Sequence, residues 1–430
     1  MRKIASLAFA LAAFATARPA AQPSASAAAQ GSPIEISSPA LAVPLSTPAA
    51  KAPPLRLLSE SELPVFADTL QSKAELVKAA KKTLAYLEKS GGPRYIRVGE
   101  RDYGAAALAD SVRELLRILK SSATPEELNA RVRASFDVFE SAGSDGAGKV
   151  VFSSYYQPFL RASRNKTKKY PYPLYRRPRD MVEADLSLFD KKYNGDVLTG
   201  RVDENKRLVP YFTRSDIDIR KALRGKGLEI AWLQNKFDAL DLHIEGSGIL
   251  RFRDGKEVLA KYAATNARPY NSVGMLLVKA NVFGKDEITH EKIREYLRAH
   301  PEAEDWILAQ NPRYTFFELG PLPPDGEPFG TINQSLVAAR SIAIDPSVIP
   351  LGAVAYFATT SPQADQDGRL LGQFPNSRFA LCMDTGGAIK GAGRVDIYAG
   401  HGKQADTTAK NQWNEGKLYI LLKKIPPRQR

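Results

Sequence analysis

The stretch Phe379–Gly402, FALCMDTGGAIKGAGRVDIYAGHG, constrains the fold more than any other. An apolar run, Phe379–Met383, has the length of a buried strand and delivers Asp384 at its end. A turn rich in glycine follows (Gly386, Gly387, Gly391, Gly393), and then Arg394–Val395 leads to a second acid inside Val395–Asp396–Ile397–Tyr398. Both carboxyls stand beside apolar side chains, with glycines that admit close approach of backbone or ligand. Apolar surroundings disfavour the charged form of a carboxyl, so such an acid can hold its proton near neutral pH and act as a general acid. The competing reading is structural, because an Asp at a strand end beside Gly is commonly a turn or cap residue.

At 430 residues the chain is longer than one core usually serves, which favours two domains. A net charge of +14 implies an acidic partner: nucleic acid, an anionic membrane surface or an acidic polymer. The Lys and Arg residues are scattered, with short clusters only at 164–169 and 176–177. A nucleic-acid binder concentrates them among aromatics, so a solvated basic surface fits better and no nucleic-acid partner is expected. The single cysteine, Cys382, rules out a disulfide within the chain and reads as a small buried side chain. The four histidines, His243, His290, His300 and His401, show no metal-ligand spacing, and no metal is expected.

Residues 1–21 have the plan of an export signal: basic Arg2–Lys3, apolar Ile4–Phe14, and small residues at 15–17 or 19–21 for cleavage. No cysteine follows for lipid attachment. Residues 22–54, rich in Ala, Ser and Pro, read as a flexible tether. Helical signals come next. Ser72 and Glu75 form a capping box ahead of Leu76, Ala80, Leu84 and Leu87. Leu108, Val112, Leu115 and Leu119 repeat the spacing and stop near Ser121–Ser122. Thr124, Pro125 and Glu127 start a third helix expected to run through Val132 and Phe136.

After a turn cluster at 143–148, residues 150–158 read as a strand ending in paired tyrosines. Tyr170, Tyr172 and Tyr175 lie among prolines; they suit either stacking on sugar faces or packing at a domain edge. From 180 to 320 the pattern is of short strands and turns with helices at one end. It includes the apolar runs Leu228–Leu233 and Leu240–Ile244, the polar break 245–248, the hairpin signal Asp254–Gly255 and helix again over 286–310. Past the linker-like 321–328, short strands resume at Ser341–Ile344, Val354–Phe357 and Leu418–Leu422.

Several islands together resemble the membrane-bound lytic murein transglycosylase A family: FSSYYQPFLRASR (152–164), YPYPLYRRP (170–178), EGSGILRFRDG (245–255), NARPYNSVG (266–274), NPRYTFFE (311–318), RSIAIDPSVIPLG (340–352) and MDTGGAIKGAGRVDIYAGHG (383–402). The resemblance implies a mainly β protein with N-terminal helices, its double-psi β-barrel catalytic domain (55–160 and 321–430) interrupted by a smaller β-rich domain (161–320). It implies cleavage of the β-1,4 bond between N-acetylmuramic acid and N-acetylglucosamine in peptidoglycan, leaving 1,6-anhydromuramyl ends. Asp396 matches the family's catalytic acid, and Asp384 and Asp345 match its other groove acids. Asp384 is expected to assist catalysis. The implied substrate contacts are Asp345, Ser153, Tyr155, Tyr156, Gln157, Glu245, Ser247, Asn266, Tyr270, Lys390 and Tyr398.

No cofactor is implied. The expected partners are peptidoglycan strands, with room for cell-wall-synthesis or outer-membrane proteins, and the expected state is a monomer exported to the periplasm. The chain departs from the family in Ser153–Ser154, where Thr–Gly is usual, in Glu245, where Gln is frequent, and in lacking the lipid-attachment cysteine. Asp384–Thr385–Gly386 also looks like half an aspartic protease site, but no second copy exists. A non-catalytic glycan-binding protein on the same fold is the remaining alternative.

Overall fold

Six strands close on themselves around the motif that opens the sequence argument. In a computed structural model, which describes residues 53–425 except 71, 91–94, 99–100, 105, 194 and 285–286, these are β1 (Val150–Gln157), β2 (Ser341–Ala343), β3 (Val354–Ala364), β4 (Leu370–Asp384), β5 (Arg394–His401) and β6 (Trp413–Lys423). Their order is β6–β3–β4–β2–β5–β1, and β1 pairs back onto β6 to complete the barrel. Two neighbouring pairs, β2 with β4 and β5 with β1, are parallel, and the others are antiparallel. The expected signal and nearly all of the expected tether lie outside the described residues.

Alternation explains the strands. Along β5, Val395 and Ile397 face the core while Arg394 and Asp396 face outward. Strands Phe136–Ser141 and Leu55–Leu57 extend the sheet from β6. Helices Lys73–Ser90, Ala107–Ser121 and Pro125–Ser135 add Leu76, Leu108, Val112, Leu115, Leu128 and Val132 to the barrel's core cluster. Arg340, 1% exposed, ties this helical part down: its guanidinium pairs with Asp68 and donates to the carbonyls of Ser72 and Phe379.

Residues between β1 and β2 build separate cores. A second six-stranded sheet runs Thr315–Gly320, Glu257–Thr265, Ser247–Phe252, Phe159–Ser163, Glu229–Leu233, Tyr172–Tyr175. Helices Val273–Lys279, His290–Ala299 and Pro301–Ala309 gather at one side, and a three-stranded sheet (Met181–Asp185, Val197–Val202, Leu208–Pro210) stands apart.

Two expected elements change character. Leu240–Ile244 belongs to a helix, Lys236–Glu245, and not to the short-strand pattern. Asn235 caps it by accepting the Asp238 amide at 2.8 Å, and Gly246 ends it at φ +77°. Leu240, Leu242 and Ile244 alternate with Asp241 and His243 at the period of a strand, and the caps on either side decide for helix. The helix begun at Pro125 stops at Ser135, one residue short of expectation, because Phe136 opens a strand paired with both β6 and Leu55–Leu57.

His243 lies buried between Tyr314 and Phe317, with ring centroids 4.3 and 5.6 Å away. Neither ring nitrogen finds a hydrogen-bond partner among the described residues. Burial, helped by the nearby Arg214 charge, holds its pKa well below the ordinary value. The unfolded chain therefore binds a proton near pH ~6.5 that the folded chain refuses. Stability from this group is present above that pH and falls by up to about 1.4 kcal/mol for each unit of further acidification. Urea midpoints compared at pH 7 and pH 5 should show this loss in the native protein and a smaller one in His243→Phe.

Candidate active site

The barrel register sets four residues side by side. Ser153 on β1 is the partner of Asp396 on β5, Asp396 of Ala343 on β2, and Ala343 of Asp384 on β4. Two interstrand spacings, roughly 10 Å of backbone, separate the two acids.

The acids differ in how they are held. Asp384 accepts four hydrogen bonds: from the Tyr155 hydroxyl at 2.8 Å, the Thr331 amide at 2.9 Å, the Thr331 hydroxyl at 2.8 Å and the Thr385 amide at 2.9 Å. Burial pushes its carboxyl above the ordinary range, and those four donors oppose the shift. Asp396 accepts one, from the Ser153 hydroxyl to Oδ1 at 2.7 Å. Its Oδ2 has no side-chain or turn donor among the described residues. Asp396 keeps part of its surface open, but the protein mass around it strips most of its hydration. Burial, opposed by Ser153 and Arg394 and reinforced by the like charge of Asp384, raises its pKa to about 6.

Three residues that sequence reasoning did not single out complete this row. Arg394 Nη2 donates to Ser153 Oγ at 2.9 Å, and its guanidinium lies 4.4 Å from the centre of the Trp413 ring. Trp413 opens β6 directly across from Ser153 and is 69% exposed, so one aromatic face stands free at the edge of the site. Thr331 reaches Asp384 from the loop before β2. Trp413 and Thr331 lie outside the acid motif, and only strand pairing and loop closure connect them to it.

Of the other expected site residues, Tyr155 and Tyr398 pack ring to ring at 5.3 Å, and the Tyr398 hydroxyl donates to Glu327 at 2.5 Å. Tyr156 points the other way along β1. Its amide donates to Glu245 Oε2 at 3.1 Å and its hydroxyl to Asp241 at 2.8 Å. Gln157 is buried with neither amide atom partnered among the described residues. Tyr270 and Glu245 line a cavity of about 300 Å³ that also touches Asp241, His290 and Lys410. Ser247 is partly exposed at the start of its strand, and Lys390 is exposed in the glycine-rich turn.

Two residues expected to contact substrate have their polar atoms engaged inside the protein. Asn266 donates to the carbonyls of Phe212 and Pro312, both at 2.8 Å, and accepts the Tyr314 amide at 2.9 Å. Asp345 accepts the Gly391 amide at 2.6 Å and both the amide and hydroxyl of Ser347. Burial pushes the Asp345 carboxyl up, but these donors outweigh it and hold it below its ordinary value. Asp345 thereby pins the glycine-rich turn, where Gly391 sits at φ +74° and a Cβ on Gly393 would meet the Ser144 amide nitrogen at 2.5 Å. Cys382 is fully buried, which pushes its thiol up and keeps it inert. No group of three or more His, Cys, Asp or Glu arranged to hold a metal occurs among the described residues. A wider depression of about 530 Å³, lined by Arg176, Arg177, Glu229 and Phe317, includes none of the expected site residues.

Comparison with known proteins finds relatives along most of the chain. Residues 151–318 match the MltA specific insert domain and residues 340–422 the 3D domain. The membrane-bound lytic murein transglycosylase A of Escherichia coli K12 is 29% identical over 287 residues, 66% of this chain and 69% of its own length. The Vibrio cholerae protein of the same name is 26% identical over 289 residues, 67% of this chain and 69% of its own. The crystal structure of a membrane-bound lytic murein transglycosylase from Agrobacterium tumefaciens superposes with a TM-score of 0.67 at 28% identity, covering 86% of this chain and 97% of that one. E. coli MltA with bound chitohexaose, at 23% identity, shares the fold with a TM-score of 0.64 over 87% of this chain and 96% of that one. Fold and relatives together define an enzyme of the glycan-cleaving lyase class. The chain belongs to the membrane-bound lytic murein transglycosylase A family.

The Ser153 hydroxyl lowers the Asp396 pKa by favouring its charged form. Ser153→Ala should therefore raise the Asp396 titration midpoint above 6 by up to about one unit. Carboxyl carbon-13 shifts followed against pH measure this, and an unchanged or lower midpoint would count against the assigned hydrogen bond.

Proposed function

We propose that this protein cleaves the β-1,4 bond between N-acetylmuramic acid and N-acetylglucosamine in peptidoglycan, with Asp396 serving first as acid and then as base. The observation that carries the reading is Asp396 itself: a deep-set carboxyl with one oxygen tied to Ser153 and a pKa raised to about 6. Such a group is about half protonated at pH 6, keeps its proton in roughly a tenth of molecules at pH 7, and can still give it up. In the first step it protonates the glycosidic oxygen as the bond to C1 breaks. The C6 hydroxyl of the same muramyl residue then bonds to C1, and its proton returns to Asp396. No water is consumed and the enzyme ends in its starting state, so one carboxyl suffices where ordinary glycosidases need two.

Asp384, occupied by its four donors, orients the site and bears negative charge toward the positive charge that develops at C1. The free face of Trp413 offers a stacking surface for a sugar ring. The related E. coli structure of the same fold holds chitohexaose, which fits a glycan in the cleft. The two parallel strand pairs support a double-psi arrangement of the barrel, with 55–160 and 321–430 as the catalytic unit and 161–320 as the insert. We place the enzyme in the periplasm, working as a monomer on peptidoglycan at the outer membrane. The curated relatives are named membrane-bound; among the described residues no helix is long and apolar enough to cross a membrane.

Mass spectrometry of muropeptides released from purified peptidoglycan tests the reading. The native protein should release anhydromuramyl products, and Asp396→Asn should lose them by a factor of about 10² or more. Reducing-end products would mean hydrolysis by water, and binding without release would mean a glycan-binding protein. Because the reacting form of Asp396 carries its proton, kcat/KM should fall as pH rises through about 6. A rate that rises through that range would remove Asp396 from the role of acid.

A further inference from the structure

Glu245 lines the cavity of about 300 Å³, is near enough to feel the Asp396 charge, and is not used by the mechanism above. It is the last residue of helix Lys236–Glu245, just before Gly246 turns the chain away. That position carries the negative end of the helix dipole, which disfavours a carboxylate. Asp241 stands one turn earlier on the same helix face. It is held by the Tyr156 hydroxyl and by His290 Nε2 at 3.0 Å, and its carboxyl stays below the ordinary range despite burial. Like charges at this spacing repel.

The other elements packed against Glu245 offer it one lysine, already paired elsewhere. β1 offers the Tyr156 amide and β5 the acid Asp396. Helix Gly402–Asn411 brings Lys410, whose ammonium pairs with Asp406, and the loop before Val273 brings the neutral Tyr270. No ion pair to Glu245 occurs among the described residues. Burial, the Asp241 charge and the Asp396 charge all push its carboxyl well above the usual range, against the Tyr156 amide and the more distant Lys410.

The Tyr156 amide occupies Oε2, so that oxygen is the acceptor of the acid group. The other oxygen has no protein partner among the described residues, and Glu245 is part of the wall of the 300 Å³ cavity. We propose that Glu245 is a substrate-binding residue that works as an uncharged carboxyl, donating its O–H to a hydroxyl or acetamido oxygen of the glycan. The inference rests on the glycan-cleaving reading for the identity of the ligand. It predicts a preference for neutral sugar oxygens at this position over an ammonium group, which would seek a carboxylate. It also predicts that Gln, which offers the same acceptor and a donor of similar reach, replaces Glu245 without loss.

Two measurements on the full-length protein test it. Carbon-13 titration of the substrate-free protein, with Glu245 assigned by difference from Glu245→Gln, should show a protonated carboxyl at pH 7. Calorimetric titration with chitohexaose at pH 6 should give Glu245→Gln an affinity within about twofold of native, and Glu245→Ala one at least about tenfold weaker, the loss expected for a donor to a buried ligand oxygen. An ionised Glu245 at pH 7 would overturn the proposal. So would Glu245→Ala binding as well as native, or Glu245→Gln binding as poorly as Glu245→Ala. The Gln variant keeps the Tyr156 hydrogen bond, so the first measurement and the Gln comparison decide the matter even where the Ala variant fails to fold. A native protein that binds chitohexaose in this pattern yet releases no anhydromuramyl product would sink the lyase reading and leave Glu245 as assigned.

Discussion

The site depends on the backbone hydrogen bonds that insert β1 between β5 and β6 and so close the barrel. Closure does two things at once. It removes the free edges that a six-stranded sheet would otherwise expose, and it sets Ser153 between Asp396 on one side and Trp413 on the other. The helices anchored through Arg340 and Asp68 support this closure from outside by covering the barrel strands with Leu76, Val112 and Leu115.

Polar groups are then distributed unequally between the two acids. Asp384 receives four donors and is fixed, while Asp396 receives one and is raised to about 6. Two carboxyls in one cleft with such different environments can divide the work of holding and transferring a proton. The Tyr156 amide and hydroxyl tie β1 to the helix that ends at Glu245, so one strand joins the barrel to that helix. A shift of that helix therefore acts on the strand that positions Ser153 and Tyr155.

Much of this was legible in the sequence because it is local. The run Phe379–Met383, the glycines after it and the apolar flanks of Asp396 specify two strands, a tight turn and two placed carboxyls without reference to the rest of the chain. The Thr124–Pro125 start of a helix and the Asp254–Gly255 hairpin are equally local, and both form. The helix at Leu240–Ile244 was hidden because its three apolar residues alternate with Asp241 and His243 as in a strand, and Asn235 and Gly246 settle it only when read together as caps. Asn266 and Asp345 carry the residue types of ligand contacts, yet their polar atoms are engaged by backbone groups distant in sequence.

The sequence alone determined the strands, the turn and the identity of the two acids, since periodicity and glycine placement act over a few residues. Tertiary structure decided how differently the two acids are held. That depends on donors contributed from residues 153, 155, 331 and 385 to carboxyls at 384 and 396, and on how much water the surrounding protein excludes from each. Hydrogen bonding and desolvation at a point in space are sums over neighbours brought there by folding, and no stretch of the chain contains those sums.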